Sequence, residues 1–288
     1  MRNIIGVDLG GTNIKTALIN LDGKIIKRYE TKTRVNKGSV ILINNIIDSI
    51  EKVKIKNIAG IGIGSPGPLN YKTGTVLKPV NLPFRNVPLR KIIQNKFETK
   101  VFLDNDANCF TLGEAVFGSG RKYEDVVGIT LGTGIGGGIV INKKIYHGRN
   151  NAAELGHTTI NYDGPKSRCG NHGCIETHVG ARGITRIFDK KSEPHSIQKL
   201  ALKGNKKAIE TYKKMGYYLG IGLANIIYAL DPDVMVIGGK ISNSWKLFSK
   251  SMNQTIKKRY FSKPCPIVKS KLKDAGVLGA GALVLENK

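Results

Sequence analysis

The stretch IGVDLGGTNIKTALIN (residues 5–20) aligns without gaps to VGITLGTGIGGGIVIN (residues 127–142) of the same chain. Gly6 matches Gly128, Leu9 matches Leu131, Gly10 matches Gly132, Ile19 matches Ile141 and Asn20 matches Asn142. Each copy reads as an apolar strand, a glycine-rich turn, a second apolar strand and a further turn, LDGK in the first and NKK in the second. Two hairpins with glycine turns in equivalent places predict two related domains facing one another.

Outward from the repeat, helix and strand signals alternate. A helix is predicted over 38–54, with Val40, Ile43, Ile47 and Ile50 on its apolar face. A buried strand follows at 58–64, then the loop SPGPLNYKTG. A short helix near 89–97 leads to the strand VFLD (101–104), and a further helix opens at Asn105–Asp106. Later, a long helix over 208–230 is stopped by DPD and followed by the strand VMVIGG (234–239). Strands alternating with helices make the chain α/β. No low-complexity linker interrupts it, so the domain junction is expected to be a compact hinge.

The chain has 288 residues, 40% of them hydrophobic and 23% charged, a globular composition long enough for real cores. No apolar run approaches a membrane span, the N-terminus lacks the apolar stretch of a signal peptide, and four cysteines make no disulfide framework. A cytoplasmic protein is expected. The formal charge of +25 raises the possibility of nucleic-acid binding. The lysines recur along the whole length, however, with no helix-turn-helix or zinc-finger spacing, so nucleic acid is not the expected partner. An anionic substrate such as a nucleotide suits the same field.

The glycines of GTGIGG (132–137) satisfy a dinucleotide-binding pattern, but they run into an apolar strand where that pattern needs a helix. No P-loop signature occurs. Glycine-rich hairpin turns can still present backbone N–H groups to an anion. In DLGGTNIK, Asp8 could hold a hydrated Mg²⁺ while Gly10, Gly11 and Thr12 donate to phosphate and Lys15 reaches the same charge. The alternative is an ordinary hairpin with a solvated aspartate. Likewise Asp106 suits either a catalytic acid–base role or a helix N-cap. In SRCGNHGCIE (167–176), Cys169 and Cys174 are compatible with a metal site, a redox pair or a plain loop.

DLGGTNIK, SPGPL, LDNDANCFTLGE, LGTGIGGG, ELGH, CGNHGCIE and VIGGKIS occur in that order over essentially the whole chain. Together they resemble the repressor–ORF–kinase (ROK) family of sugar kinases, and most closely its glucokinase-like branch. The resemblance implies the actin-like ATPase (ribonuclease H-like) fold, with two similar domains around a nucleotide cleft. It implies a small N-terminal domain over 1–106, completed by a C-terminal helix at about 276–288, and a larger domain over 107–275 that carries the zinc-type loop. ROK repressors carry an extra N-terminal helix-turn-helix domain; this chain starts at its first kinase strand, which favours an enzyme.

The implied reaction is ATP-dependent phosphorylation of a hexose at its 6-hydroxyl, glucose first. Fructose, N-acetylglucosamine and N-acetylmannosamine kinases share the motifs, and a non-catalytic sugar-sensing or nucleic-acid-binding ROK protein is the rival. Asp106 matches the family's catalytic base. Gly64, Asn105, Glu154, His157 and Glu176 match its sugar-binding positions. Gly132, Thr133, Gly134, Gly238 and Gly239 join Asp8, Gly10, Gly11, Thr12 and Lys15 as the expected site for ATP with Mg²⁺. A homodimer is the family habit.

The family's structural zinc is held by the ELGH histidine and the pattern C-x-C-G-x-x-G-C-x-E. Here His157, Cys169 and Cys174 are in register, whereas Ser167 replaces the first cysteine. Serine is a poor zinc ligand, being neutral and hard where thiolate is charged and soft. His172 or Asp163 could supply the fourth position.

Overall fold

The computed structural model describes residues 3–287, and the chain is mixed α/β. In chain order come β1 (Asn3–Leu9), β2 (Asn13–Ile19), β3 (Ile25–Lys32), α1 (Ser39–Val53), β4 (Ile58–Ser65), β5 (Leu69–Asn70) and β6 (Thr75–Val76). Next are α2 (Leu89–Phe97), β7 (Val101–Asn105), α3 (Asp106–Phe117), β8 (Val126–Leu131), β9 (Ile135–Ile141) and β10 (Lys144–Ile145). Then follow α4 (Ile175–Val179), α5 (Ala181–Phe188), α6 (Pro194–Leu202), α7 (Lys206–Leu230), β11 (Val234–Gly238), α8 (Trp245–Arg259), β12 (Ile267–Lys269) and α9 (Ala275–Glu286).

Two five-stranded sheets carry the repeat, ordered β3-β2-β1-β4-β7 and β10-β9-β8-β11-β12. In the first, β1, β2 and β3 form an antiparallel meander and β4 and β7 add in parallel. Gly6 and Gly62 face each other in the β1–β4 register. A Cβ at either would fall 2.0 Å from Val277 O or 1.7 Å from Ala280 O, so this glycine pair is what admits α9 onto the sheet. The apolar face of α1 differs from the expected one. Leu42, Ile46, Ile50 and Val53 are buried, whereas Val40 is 69% exposed and Ile43 and Ile47 lie at the margin. A 3.6-residue period fits both sets nearly as well, and the packing of the helix on its sheet selects between them.

The chain forms two compact units. One comprises the chain up to Gly128, Gly138–Ala152 and the chain from Lys271 onward; the other comprises Ile129–Gly137 and Ala153–Ser270. The division therefore differs from a cut after residue 106. Helix α3 packs along α9, which draws it and the chain up to Gly128 into the first unit. No helix among the described residues is long and apolar enough to cross a membrane.

Candidate active site

In the first unit, Asp8 lies near the end of β1 directly across the strand pair from Lys15, whose ammonium sits 3.7 Å from Asp274. The turn beyond it is fixed by its own backbone: Gly10 N–H donates to Asn13 O at 3.0 Å, and buried Thr33 donates its hydroxyl to Gly10 O and its N–H to Thr12 O. The amide of Gly10, expected to face a phosphate, is thus committed to closing the hairpin. Burial pushes the Asp8 carboxyl up to about 6; the negative charge of Asp106 adds to the shift and Lys15 opposes it. Crowded carboxylates that resist ionisation are what a bound cation relieves.

The start of α3 gives the N-cap position to Asn105 and not to Asp106. Asn105 is the N-cap, with Oδ1 accepting from Ala107 N at 2.8 Å and Asn108 N at 3.4 Å. Asp106 is the first helical residue, exposed, with Oδ1 accepting from Ala107 N at 2.9 Å. The cap thus uses the Asn105 side-chain carbonyl and not its amide nitrogen. Gly64 sits beneath this turn, where a Cβ would come 3.0 Å from Cys109 Sγ and 3.7 Å from Asp106 Cα.

A residue outside the expected set supports the same turn. Asp104, 4% exposed, accepts from Asn105 N at 2.7 Å and Asn108 Nδ2 at 2.8 Å through one oxygen. Its other oxygen lies 2.6 Å from His147 Nε2, and the His147 ring stands 4.3 Å from that of Tyr71. The hydrogen bond to Asp104 raises the His147 pKa, against the effect of burial. Forty-odd residues separate the pair in the chain, and no local pattern marks it.

In the second unit, the other glycine hairpin carries Gly132, Thr133 and Gly134, with Gly132 N–H donating to Gly134 O at 3.0 Å and Gly132 O accepting from Ala181 N at 3.0 Å. Gly239, at φ +83°, packs so closely that a Cβ would lie 2.3 Å from Leu131 O, which sets the end of β11 against this turn. Glu176 on α4 reaches the hairpin too: a Cβ on Gly134 would fall 2.6 Å from its Oε2. Its Oε1 lies 3.9 Å from His157 Nδ1 and 3.4 Å from Ser167 Oγ. Exposed Glu154 approaches the opposite nitrogen, with Oε2 3.7 Å from His157 Nε2. Gly132–Gly134, Gly239, Glu154, His157 and Glu176 thus share one region of this unit.

His157, Cys169 and Cys174 bring their ligand atoms within 4.8 Å of one another. The sulfurs are 3.6 Å apart, near the spacing of about 3.8 Å that two thiolates adopt on a tetrahedral ion with bonds of about 2.3 Å. His157 Nδ1 is buried with no hydrogen-bond partner, as a nitrogen aimed at a ligand would be. Hydrogen bonding, first from Ser167, lowers the Cys169 thiol to about 7, while burial raises that of Cys174. The donor set fits a zinc ion. Ser167 Oγ lies 3.3 Å from Cys169 Sγ and accepts a hydrogen bond from it. His172 does not join the cluster; its Nδ1 lies 3.2 Å from Gly164 O, and Asp163 lines a different pocket.

The model of the ROK family matches residues 4–287. The chain belongs to the ROK family. It is 34% identical to a glucokinase of Halalkalibacterium halodurans, over 99% of this chain and 95% of that one. It is also 35% identical to a xylose repressor of Caldicellulosiruptor bescii, over 99% of this chain and 78% of that one. Among solved structures, a ROK family glucokinase from Streptomyces griseus in complex with glucose and AMPPNP matches with a TM-score of 0.83 and 28% identity, over 98% of each chain. The fold is the actin-like ATPase fold of the ROK sugar kinases.

Proposed function

We propose that this protein is an ATP-dependent hexose kinase that phosphorylates the 6-hydroxyl, with glucose its first substrate and Asp106 its general base. The observation that carries the reading is the start of α3, where Asn105 takes the capping duty and Asp106 stands exposed in the first turn. A carboxylate there can orient a hydroxyl and take its proton as oxygen bonds to the γ-phosphorus and the bond to ADP breaks. Asn105, Glu154, His157 and Glu176 bracket the sugar hydroxyls in this reading, with Gly64 clearing room for α3. Gly11, Thr12, Thr133 and Gly134 approach the phosphates, Lys15 adds charge, and Gly238–Gly239 lie along the adenosine. Asp8 would hold Mg²⁺, which would supply positive charge to the phosphates. His157, Cys169 and Cys174 would hold zinc, which would fix the loop that leads into Glu176. Such a kinase works in the cytoplasm, where ATP is supplied and thiols stay reduced.

A coupled assay of ADP release across glucose, fructose, mannose, xylose and the N-acetylhexosamines tests the reading. Asp106→Asn should lower kcat by about 10²–10⁴-fold while sugar binding, read by calorimetry, persists. Full activity in that variant sinks the assignment. The similarity to a xylose repressor supports a second reading, a sugar-responsive regulator. Sugar binding with no ADP release from the unaltered protein would favour it.

A further inference from the structure

The second unit contains another pocket, of about 530 Å³, lined by none of the residues assigned to sugar or nucleotide nor by His157, Cys169 or Cys174. The loop around Asp163 and Gly164 forms one wall, His178 at the end of α4 another, Arg186 of α5 a third, and Lys214 and Tyr218 of α7 the fourth. Three features of this wall are physically incomplete. Arg186 is half-buried, and its guanidinium donates to the backbone oxygen of Thr177 but forms no ion pair among the described residues. His178 is 4% exposed, its ring tilted against that of Tyr218 with centroids 4.3 Å apart, and its Nε2 is buried against Gly164 with no hydrogen-bond partner among the described residues. Lys214 adds a second cation, and Asp163, the one carboxylate among the lining residues, pairs with neither.

A guanidinium taken part-way out of water without a counter-charge is costly, and so is a buried ring nitrogen without a partner. An oxyanion in the pocket supplies the counter-charge that the guanidinium lacks. The planar fork of Arg186 matches two oxygens of a tetrahedral anion, and Lys214 supplies a point charge to a third. We propose that this pocket binds the phosphate group of inorganic phosphate or of a phosphate monoester, held by Arg186 and Lys214 with His178 at its back. Burial first, then the charges of Arg186 and Lys214, push His178 down to about 4. Its ring is therefore neutral at pH 7, and an anion between the two cations moves that value back up.

The test uses the full chain saturated with glucose and a non-hydrolysable ATP analogue, so that the proposed nucleotide cradle is filled. Inorganic phosphate or glucose 6-phosphate is titrated in while the His178 ring resonances are followed by NMR and binding by calorimetry. The proposal expects saturable binding that shifts His178, at least tenfold weakening in Arg186→Gln and in Lys214→Gln, and no change in Lys250→Gln, a control on α8 that does not line the pocket. Arg186→Lys, which keeps the charge and loses the fork, should fall between. Lys214 is exposed, so its variant carries the test even if Arg186→Gln fails to fold. Tighter binding of glucose 6-phosphate identifies an ester as the ligand; equal binding identifies recognition of phosphate alone. Affinities unchanged within twofold in the Lys214 variant, an undisturbed His178, or equal binding of chloride overturn the proposal. If the chain proves not to bind the nucleotide, phosphate taken up by the glycine hairpins is insensitive to Arg186 and Lys214, and the two failures stay distinguishable.

Discussion

The two glycine hairpins share a backbone plan and differ in the chemistry hung on it. In both, the first glycine turns its N–H inward to close the turn, Gly10 onto Asn13 and Gly132 onto Gly134. Where the first hairpin carries Asp8, the second carries Thr130, whose hydroxyl lies 3.4 Å from Gly136 O. The first is surrounded by charge, with Asp106, Lys15 and Asp274 all acting on Asp8. The second is nearly all backbone, with its Gly134 pressed against a carboxylate from another element. Repetition therefore supplied two cradles of similar shape, and single side chains made one suited to a cation and the other to backbone contacts.

The largest expected effect breaks that contrast at Asp8. Asp8→Asn should lower kcat roughly a hundredfold and weaken the dependence of turnover on Mg²⁺ concentration, measured by coupled assay. The same residue gives a signed stability effect. Unfolded, Asp8 ionises near pH 4; folded, it keeps its proton up to about 6, so the native state is penalised as pH rises through that window. Without Mg²⁺ at pH 7.5, the Asn variant should thus unfold at higher denaturant, by on the order of 1–3 kcal/mol. Equal stability at pH 7.5 would dismiss the crowded-carboxylate account.

Gly134→Ala comes next. Its new Cβ would fall 2.6 Å from Glu176 Oε2, so the carboxylate must move. Overpacking of about 1–3 kcal/mol predicts a rise in sugar KM of roughly tenfold with a smaller change in kcat. A KM unchanged would remove Glu176 from the sugar site. His147→Ala acts on stability rather than on KM: it leaves buried Asp104 short of one donor and should cost about 1–3 kcal/mol. The folded pKa of His147 is raised, so its contribution is full below about pH 6.5 and fades as pH climbs through the raised value. The cost of the substitution, read from denaturant midpoints, should therefore be larger at pH 6 than at pH 9. Thr130→Ala marks the bottom of the scale: losing one long hydrogen bond should change stability and kcat by less than about 0.5 kcal/mol equivalent. An effect as large as that of Asp8→Asn would erase the distinction between the hairpins.

Much of the site was legible because it is made of short segments. The strand–turn–strand pattern gave both hairpins, and a cap residue followed by a helix placed Asp106 within one turn. The sequence also marked Ser167 as the odd position in the cysteine loop, and its hydroxyl does lie against Cys169. What escaped were relations between distant segments. The closing role of Gly10 N–H, the buried face of α1, and the support of Asp104 by His147 depend on which elements come to rest beside which.

By itself, then, the sequence determined the α/β alternation and the repeat, and its resemblance to the ROK family supplied the candidates for phosphoryl transfer. Backbone propensity, side-chain period and glycine turns are local and survive reading one residue at a time. Tertiary structure decided that Asn105 rather than Asp106 caps α3, that Asp8 is crowded enough to hold its proton to about 6, and that Arg186, with no ion pair among the described residues, faces a pocket beside a neutral His178. Those outcomes rest on desolvation and on charges brought together across the chain, and both exist only once the elements are packed.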